Sequence, residues 1–158
     1  MHVVITGATR GIGAGLAEHY RAAGHRVTGT GRSATSDVQL DVTQPRDHAA
    51  MAQALSDQPI DLLVCNAGVL FDRNDTLDDG YSPEKWAAMF AANVTGVFLS
   101  VQSLLPMLRL SSNPKIAIIS SQLASTTQAG GGMYIYRSSK AAVLNLGRNL
   151  AADLRDEG

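Results

Sequence analysis

The stretch GGMYIYRSSKAA sets two tyrosines, Tyr134 and Tyr136, ahead of one lysine, Lys140. On a helix, positions four apart lie about 40° apart around the axis, whereas positions six apart fall on different faces. Tyr136 and Lys140 therefore share a side, and Tyr134 does not. A free phenol, with a pKa of about 10, is a sluggish acid–base group at neutral pH; a nearby ammonium favours the phenolate and makes the proton available. The bland alternative is a surface Tyr and Lys at a common spacing.

Other residues bear on that choice. Ser121 follows the apolar run KIAIIS, which puts a hydroxyl at the carboxyl end of a strand, where open parallel sheets bind ligands. CNAG (65–68) ends the preceding strand with residues small enough for a nucleoside to lie against Asn66, Ala67 and Gly68. Asn93 interrupts a helical pattern and is followed by Thr95 and Gly96, a run that prefers to bend or to bind water. Each has a dull explanation as a cap, a turn or a packing glycine; the combination in this order is harder to dismiss.

A second constellation lies at the other end of the chain. TGATRGIG (6–13) follows the first strand and opens the first helix. Gly7 permits a tight turn, Gly11 lets backbone approach a pyrophosphate, and Gly13 allows close helix–strand packing. The free N–H groups of that helix start, from Thr9 through Ile12, would hold phosphates. The spacing is G-x3-G-x-G, not the commoner G-x-G-x-x-G. The second strand ends TGTGRS, with no carboxylate to accept from an adenosine ribose. Arg32, with Arg10 from the glycine turn, can instead pair with a 2'-phosphate. NADP(H) is thus expected over NAD(H). Asp41, next to Val42 at the end of the third strand, can accept from an adenine amino group or cap a turn.

These residues need a scaffold of short strands alternating with helices. Apolar runs rich in Val and Ile occur at 2–6, 26–30, 38–42, 61–66 and 115–120. Longer helical patterns lie between them, which predicts an α/β, Rossmann-like, doubly wound parallel sheet with helices on both faces. The expected strand order is 3-2-1-4-5. Ile12, Leu16, Tyr20 and Ala23 mark the inward face of the first helix. A second helix follows Pro45, and Ser82 and Pro83 open a long one that ends near Pro106 to Pro114. The last helix is expected from about Ser138 to Arg155, with Gly158 as its stop.

The acidic loop FDRNDTLDDG (71–80) lacks calcium-loop chemistry, since Leu77 stands where the turn needs Gly and Pro83 where the bidentate Glu belongs. No metal site is expected. The 158 residues carry a formal charge of −1 and fit one domain. That balance gives no reason to expect nucleic acid or an anionic membrane as partner. Cys65 is the one cysteine and cannot close an intrachain disulfide. No secretory signal is evident, and no apolar stretch approaches the roughly 20 residues of a membrane span. A soluble, cytoplasmic protein is expected.

TGATRGIG, NAG, the mid-helix Asn93, Ser121 and YRSSK together resemble the short-chain dehydrogenase/reductase family, over essentially the whole chain. GGMYIYRSSKAA is also similar to the branch containing C-factor-like proteins and small carbonyl reductases. The resemblance implies that Tyr136 protonates a carbonyl oxygen as hydride leaves a nicotinamide. Lys140 would hold the nicotinamide ribose, Ser121 would hydrogen-bond the substrate oxygen, and Asn93 would hold a water linking Lys140 to solvent. Tyr134 would line the pocket or pack. Two departures stand out. The family's interval from Ser to Tyr is shorter and would fit Tyr134, so QLASTTQAGGG must bulge; and Cys65 stands where the family often has a second Asn.

Members of that family usually continue for two further strands, a helix and a substrate loop, and this chain stops before them. The strand KIAIIS is then an exposed apolar edge. Three functions follow as expectations: an NADPH-dependent oxidoreductase interconverting a small-molecule carbonyl and alcohol; a truncated nucleotide-binding module with little turnover; or a C-factor-like signalling or interaction protein. The resemblance also implies a homodimer or homotetramer, formed through the long helices at 83–108 and 138–155.

Overall fold

The computed structural model describes residues 1–157. Strands β1 (His2–Ile5), β2 (Arg26–Gly31), β3 (Val38–Gln39), β4 (Leu62–Cys65) and β5 (Lys115–Ile118) form one parallel sheet in the expected order β3-β2-β1-β4-β5. The chain winds outward from β1 to β3, then returns to the other side of β1 for β4 and β5. The ends of β1 and β4 therefore flank the point where the winding reverses, the place at which such sheets open a crevice.

The helices are α1 (Gly11–Ala22), α2 (Pro45–Ala54), α3 (Pro83–Phe90), α4 (Gly96–Leu108) and α5 (Tyr134–Asp153). Alternation along the strands divides the core between two layers. Val4, Leu63 and Cys65 pack with Met51, Val101, Leu104 and Val143 on one face, and Val3, Ile5 and Val64 pack with Ala17 on the other. The first layer takes α2, α4 and α5; the second takes α1.

Several expected boundaries move. β3 stops at Gln39 because Asp41 turns the chain: its Oδ1 accepts from the Thr43 N–H (3.0 Å) and hydroxyl (2.8 Å). On α1 the buried face is Gly13 and Ala17, with Leu16 and Tyr20 partly buried, while Ile12 is 67% exposed and Ala23 is exposed beyond the last turn. Periodicity found the stripe but placed it off by one position at its start. The helix expected from Ser138 begins a turn earlier, at Tyr134. Gly158 lies outside the described residues. Ser82 caps α3 as expected, its Oγ accepting from the Lys85 N–H (3.3 Å).

The expectation that no apolar stretch reaches membrane length is corrected. A π-helical turn, Ala91–Thr95, joins α3 to α4, so Pro83–Leu108 is one 26-residue helical run with a mean hydropathy of 1.5 over 18 residues. Its Asn93 and Ser100 are buried with internal partners, and Val101, Leu104 and Leu108 belong to the core, which is the environment of a central helix packed on a sheet. Beside the outer strand β5 an apolar groove of about 780 Å³ runs between α4 and α5, lined by Leu105, Ile116, Ile118 and Leu150 among others.

At the amino ends of the strands, His2 is buried between Thr28 and Pro59. The Pro59 carbonyl can only accept, so Nδ1 carries the proton (3.1 Å) and Nε2 accepts from the Thr28 hydroxyl (2.9 Å). Burial lowers the His2 pKa below 6.5, against the opposing pull of the Pro59 carbonyl. Below 6.5 the unfolded chain takes up this proton before the folded one, so stability falls as pH drops through that window. Urea unfolding from pH 7 to pH 4 should show a shallower loss for His2→Gln than for the unaltered protein; parallel curves would show that His2 does not contribute.

Candidate active site

The loop from β1 into α1 forms the floor of a cleft. Gly7 has φ +70° and Gly11 φ +57°; the direction a Gly11 side chain would take is open to at least 4 Å. Gly13 has no such freedom, because a Cβ there would collide with the Gly7 carbonyl and the Asn66 amide. Asn66 holds this turn in place by donating from Nδ2 to both the Thr6 and Gly7 carbonyls (3.0 Å each). In return the Thr6 hydroxyl accepts from the Asn66 and Ala67 N–H groups (3.1 Å each). The ends of β1 and β4 are thus stitched together where the winding reverses.

Arg10 sits at the N-cap of α1 with no side-chain cap bond. The first-turn N–H groups therefore face a cleft of about 670 Å³ with the positive end of a 12-residue helix behind them. Gly7, Thr9, Arg10, Gly11 and Ile12 line one side, Arg32, Asp41 and Val42 another, and Asn66, Ala67 and Gly68 the back. Gly13 lies buried beneath them. Reading the sequence missed Val69, Phe71, Ala88, Ala91 and Ala92, which close the remaining side. The alanines fall at helical spacings of three and four, a signal for a small-residue face that was available in the sequence.

Arg10 and Arg32 are both exposed at the rim. The Asp41 carboxyl is held below its usual range, first by the Thr43 N–H and then by the Thr43 hydroxyl and the Arg32 charge, against partial burial. One of its oxygens is therefore engaged in the turn. An open backbone turn and an uncapped helix start, with two exposed guanidinium groups at the rim, suit a phosphate-bearing dinucleotide.

Behind Gly68 lies the second group of residues. Lys140 is 5% exposed and donates from Nζ to the Ile119 carbonyl (2.9 Å). Its Nζ lies 5.8 Å from the centre of the Tyr136 ring, so the two share a side of α5. Burial lowers the Lys140 pKa from 10.5. A Cβ on Gly68 would come within 3.5 Å of this Nζ and 3.1 Å of Asn93 Oδ1, so only glycine brings the cleft wall so close to both. Tyr134 packs elsewhere, edge-on against Tyr81 at 5.2 Å.

Asn93 occupies the middle of the π-helical turn and is wholly buried. Its Oδ1 accepts from the Val69 N–H (2.8 Å), and its Nδ2 donates to the Val69 carbonyl (2.9 Å) and the Ser139 hydroxyl (3.0 Å). Ser121 starts a 3-10 turn, Gln122–Ala124, with its Oγ accepting from the Leu123 N–H (3.2 Å). It borders a depression shared with Ala141, Leu144 and Arg148. The neighbouring Ser120 hydroxyl donates to the Lys140 carbonyl (2.9 Å), tying the end of β5 to α5.

Cys65 is buried and its thiol is pushed up to about 12, which removes thiolate chemistry at neutral pH. In the acidic loop the Asp75 carboxylate is bound to Lys85 Nζ at 2.6 Å.

Comparison with known proteins identifies the family. The family model for short chain dehydrogenase matches residues 33–158. The chain belongs to the short chain dehydrogenase family. It is 34% identical to the rhamnolipids biosynthesis 3-oxoacyl-acyl-carrier-protein reductase of Pseudomonas aeruginosa, over 98% of this chain and 67% of that protein. It is 32% identical to the NADP-dependent 3-hydroxy acid dehydrogenase YdfG of Salmonella typhi, over 98% and 66%. Among solved structures, the Pseudomonas aeruginosa RhlG/NADP active-site complex superposes with a TM-score of 0.87 and 31% identity, over 99% of this chain and 68% of that one. The chain therefore spans about two thirds of these relatives.

Replacing Asn93 with Ala removes the partner of the part-buried Val69 N–H and carbonyl and of the Ser139 hydroxyl, a loss of about 1–3 kcal/mol in all. Urea unfolding should register a loss of that size for Asn93→Ala; a loss within a few tenths of a kcal/mol would mean that the clamp is dispensable.

Proposed function

We propose that this chain carries the dinucleotide site and the proton-transfer machinery of an NADPH-dependent oxidoreductase that interconverts a carbonyl and an alcohol. The observation that carries this reading is the position of Lys140 Nζ, 5.8 Å from the Tyr136 ring and directly behind Gly68, a residue of the nucleotide cleft.

In this reading the α1 N-terminus and the Gly11 backbone hold the pyrophosphate, and Arg10 and Arg32 flank the 2'-phosphate that distinguishes NADPH from NADH. Bound NADPH supplies hydride to the substrate. Tyr136 donates its phenolic proton to the carbonyl oxygen, and the Lys140 ammonium stabilises the phenolate left behind. The Ile119 carbonyl accepts from that ammonium and favours its charged form. In the reverse direction the Tyr136 phenolate takes the proton from the alcohol. Ser121 is assigned to the substrate oxygen. Asn93 is assigned to the approach to Lys140, where its clamp on Val69 and Ser139 fixes the cleft wall against α5.

The names of two relatives, a 3-oxoacyl reductase and a 3-hydroxy acid dehydrogenase, make 3-oxo esters a sensible addition to a panel of aldehydes, ketones and quinones. The relatives' greater length makes substrate choice a property to be tested on this chain directly. A homodimer or homotetramer is supported by apolar side chains left outward on the long helices, with Phe98 39% exposed and Leu144 48% exposed. We assign the protein to the cytoplasm, in keeping with its single buried thiol.

Oxidation of NADPH by the purified protein, followed across that panel, tests the reading; binding of NADPH without turnover of any member would favour a nucleotide-binding module instead. Tyr136→Phe should lower kcat by about 10²- to 10⁴-fold, the range for a lost general acid, while the affinity for NADPH persists. Tyr134→Phe should keep most of the rate, and the opposite pattern would move the role to Tyr134.

Arg32→Glu should weaken NADPH by about 10- to 100-fold, the equivalent of a charge-assisted hydrogen bond of about 1.5–3 kcal/mol. NADH should be much less affected in the same titration. Equal losses for the two nucleotides would remove Arg32 from the 2'-phosphate.

A further inference from the structure

Helix α5 begins without a local cap. Gly131, Gly132 and Met133 enter it in left-handed conformations (φ +70°, +64° and +47°), and Met133, at the N-cap, offers no side-chain acceptor. Its orphan N–H groups are met from far away in the sequence. Asp72 Oδ2 accepts from the N–H groups of Ile135 (2.8 Å) and Tyr136 (3.2 Å). Asp72 is 0% exposed, and its second oxygen, Oδ1, is buried with no partner among the described residues.

Burying a carboxylate with one oxygen unpaired is costly, whereas the usual cap is a Ser, Thr or Asp at an extended N-cap residue next to the helix. The difference lies in what each cap fixes. A local cap starts a helix without relating it to anything else. Asp72 ends the segment Gly68–Phe71, in which Gly68, Val69 and Phe71 line the nucleotide cleft. The same segment is clamped at Val69 by Asn93, which also reaches Ser139 on α5. Two side chains therefore join one wall of the cleft to one turn of α5, on either side of Tyr136.

We propose that Asp72 is a positioning residue: by capping α5 from the cleft wall, it sets the height of Tyr136 relative to the nucleotide, and it carries this role in place of any residue next to the helix. The inference rests on the reading of Tyr136 as the proton donor, and the experiment separates the two.

Asp72→Ala, Asp72→Asn and, as a control, Leu55→Ala, which opens the core at the far end of α2, are compared in two measurements. In the first, kcat per folded molecule and NADPH affinity are measured with a carbonyl that the unaltered protein reduces. Asp72→Ala should lose about 10- to 100-fold in kcat, the scale of a small misplacement of a reacting group, with NADPH affinity nearly kept. Asp72→Asn retains an acceptor oxygen and should recover most of the rate. Leu55→Ala should lower the melting temperature while keeping kcat. Unchanged kcat in Asp72→Ala, or an equal fall in Leu55→Ala, overturns the proposal.

The second measurement needs no turnover. Amide hydrogen exchange at Ile135 and Tyr136 should speed up by about tenfold or more in Asp72→Ala, equivalent to about 1.4 kcal/mol of lost protection. The amide of Val4 in β1 should not change relative to them. If no carbonyl is reduced by the unaltered protein, the oxidoreductase reading fails while this exchange result still decides whether Asp72 holds the helix start; unchanged exchange overturns the proposal. Should Asp72→Ala not fold, Asp72→Ser, whose side chain is too short to reach both N–H groups, replaces it in both measurements.

Discussion

The site depends on a short piece of irregular backbone after β4 being held against two helices at once. Residues 66–72 run along the back of the cleft outside any sheet or helix, and side chains from elsewhere take several of their polar groups. Asn66 binds the glycine turn, Asn93 takes both the N–H and the carbonyl of Val69, and Asp72 takes the first N–H groups of α5. Backbone in such a place requires partners, and side chains from elsewhere supply them. Asn93 is the most economical of these, since one amide presents a donor and an acceptor side by side and so matches a peptide unit. The π-helical turn fits the same need: an extra residue in the helix ladder lets a polar side chain leave its regular position, and such turns recur at functional sites.

Small residues then decide how closely these parts approach. A methyl group on Gly68 would press on Asn93 Oδ1 and Lys140 Nζ, and one on Gly13 would strike the glycine turn itself. Close approach matters electrostatically as well as sterically. The helix start of α1 and the two rim arginines give one end of the cleft a positive potential, and Lys140 stands behind its other wall, so a polyanionic ligand would lie between two sources of attraction.

The core of the sheet was plain in the sequence because strands buried on both faces read as continuous apolar runs. The glycine turn and the Tyr136–Lys140 pair were equally plain, because each depends on spacing along a single element. What was hidden shares a different feature. The start of α5 was placed a turn late because its cap, Asp72, lies 63 residues from Ile135. Asn93 stood out as a polar residue within a helix, but its partners Val69 and Ser139 are 24 and 46 residues away. Ile12 belonged to a helical stripe, yet it is Gly13 that is packed against Gly7 and Ile12 that lines the cleft, 67% exposed. Local pattern thus reports which element a residue occupies; long-range pairing reports what the residue does there.

Lys140 shows how such a site is balanced. Burial works against its charge and lowers its pKa from 10.5, while the one carbonyl it meets, on Ile119, works for the charge. Desolvation prevails, so between its folded value and 10.5 the folded chain binds fewer protons than the unfolded one, and this group's contribution to stability grows as pH rises through that window. His2, buried at the opposite end of the sheet, acts in the same sense below 6.5. The two differ in what the environment offers in return. His2 can be neutral with both ring nitrogens satisfied, so its burial resolves into packing. The Lys140 ammonium is resolved less completely: beside the Tyr136 ring it meets the Ile119 carbonyl alone among its recorded partners, and a buried charge of this kind is a perturbation that concentrates at functional sites.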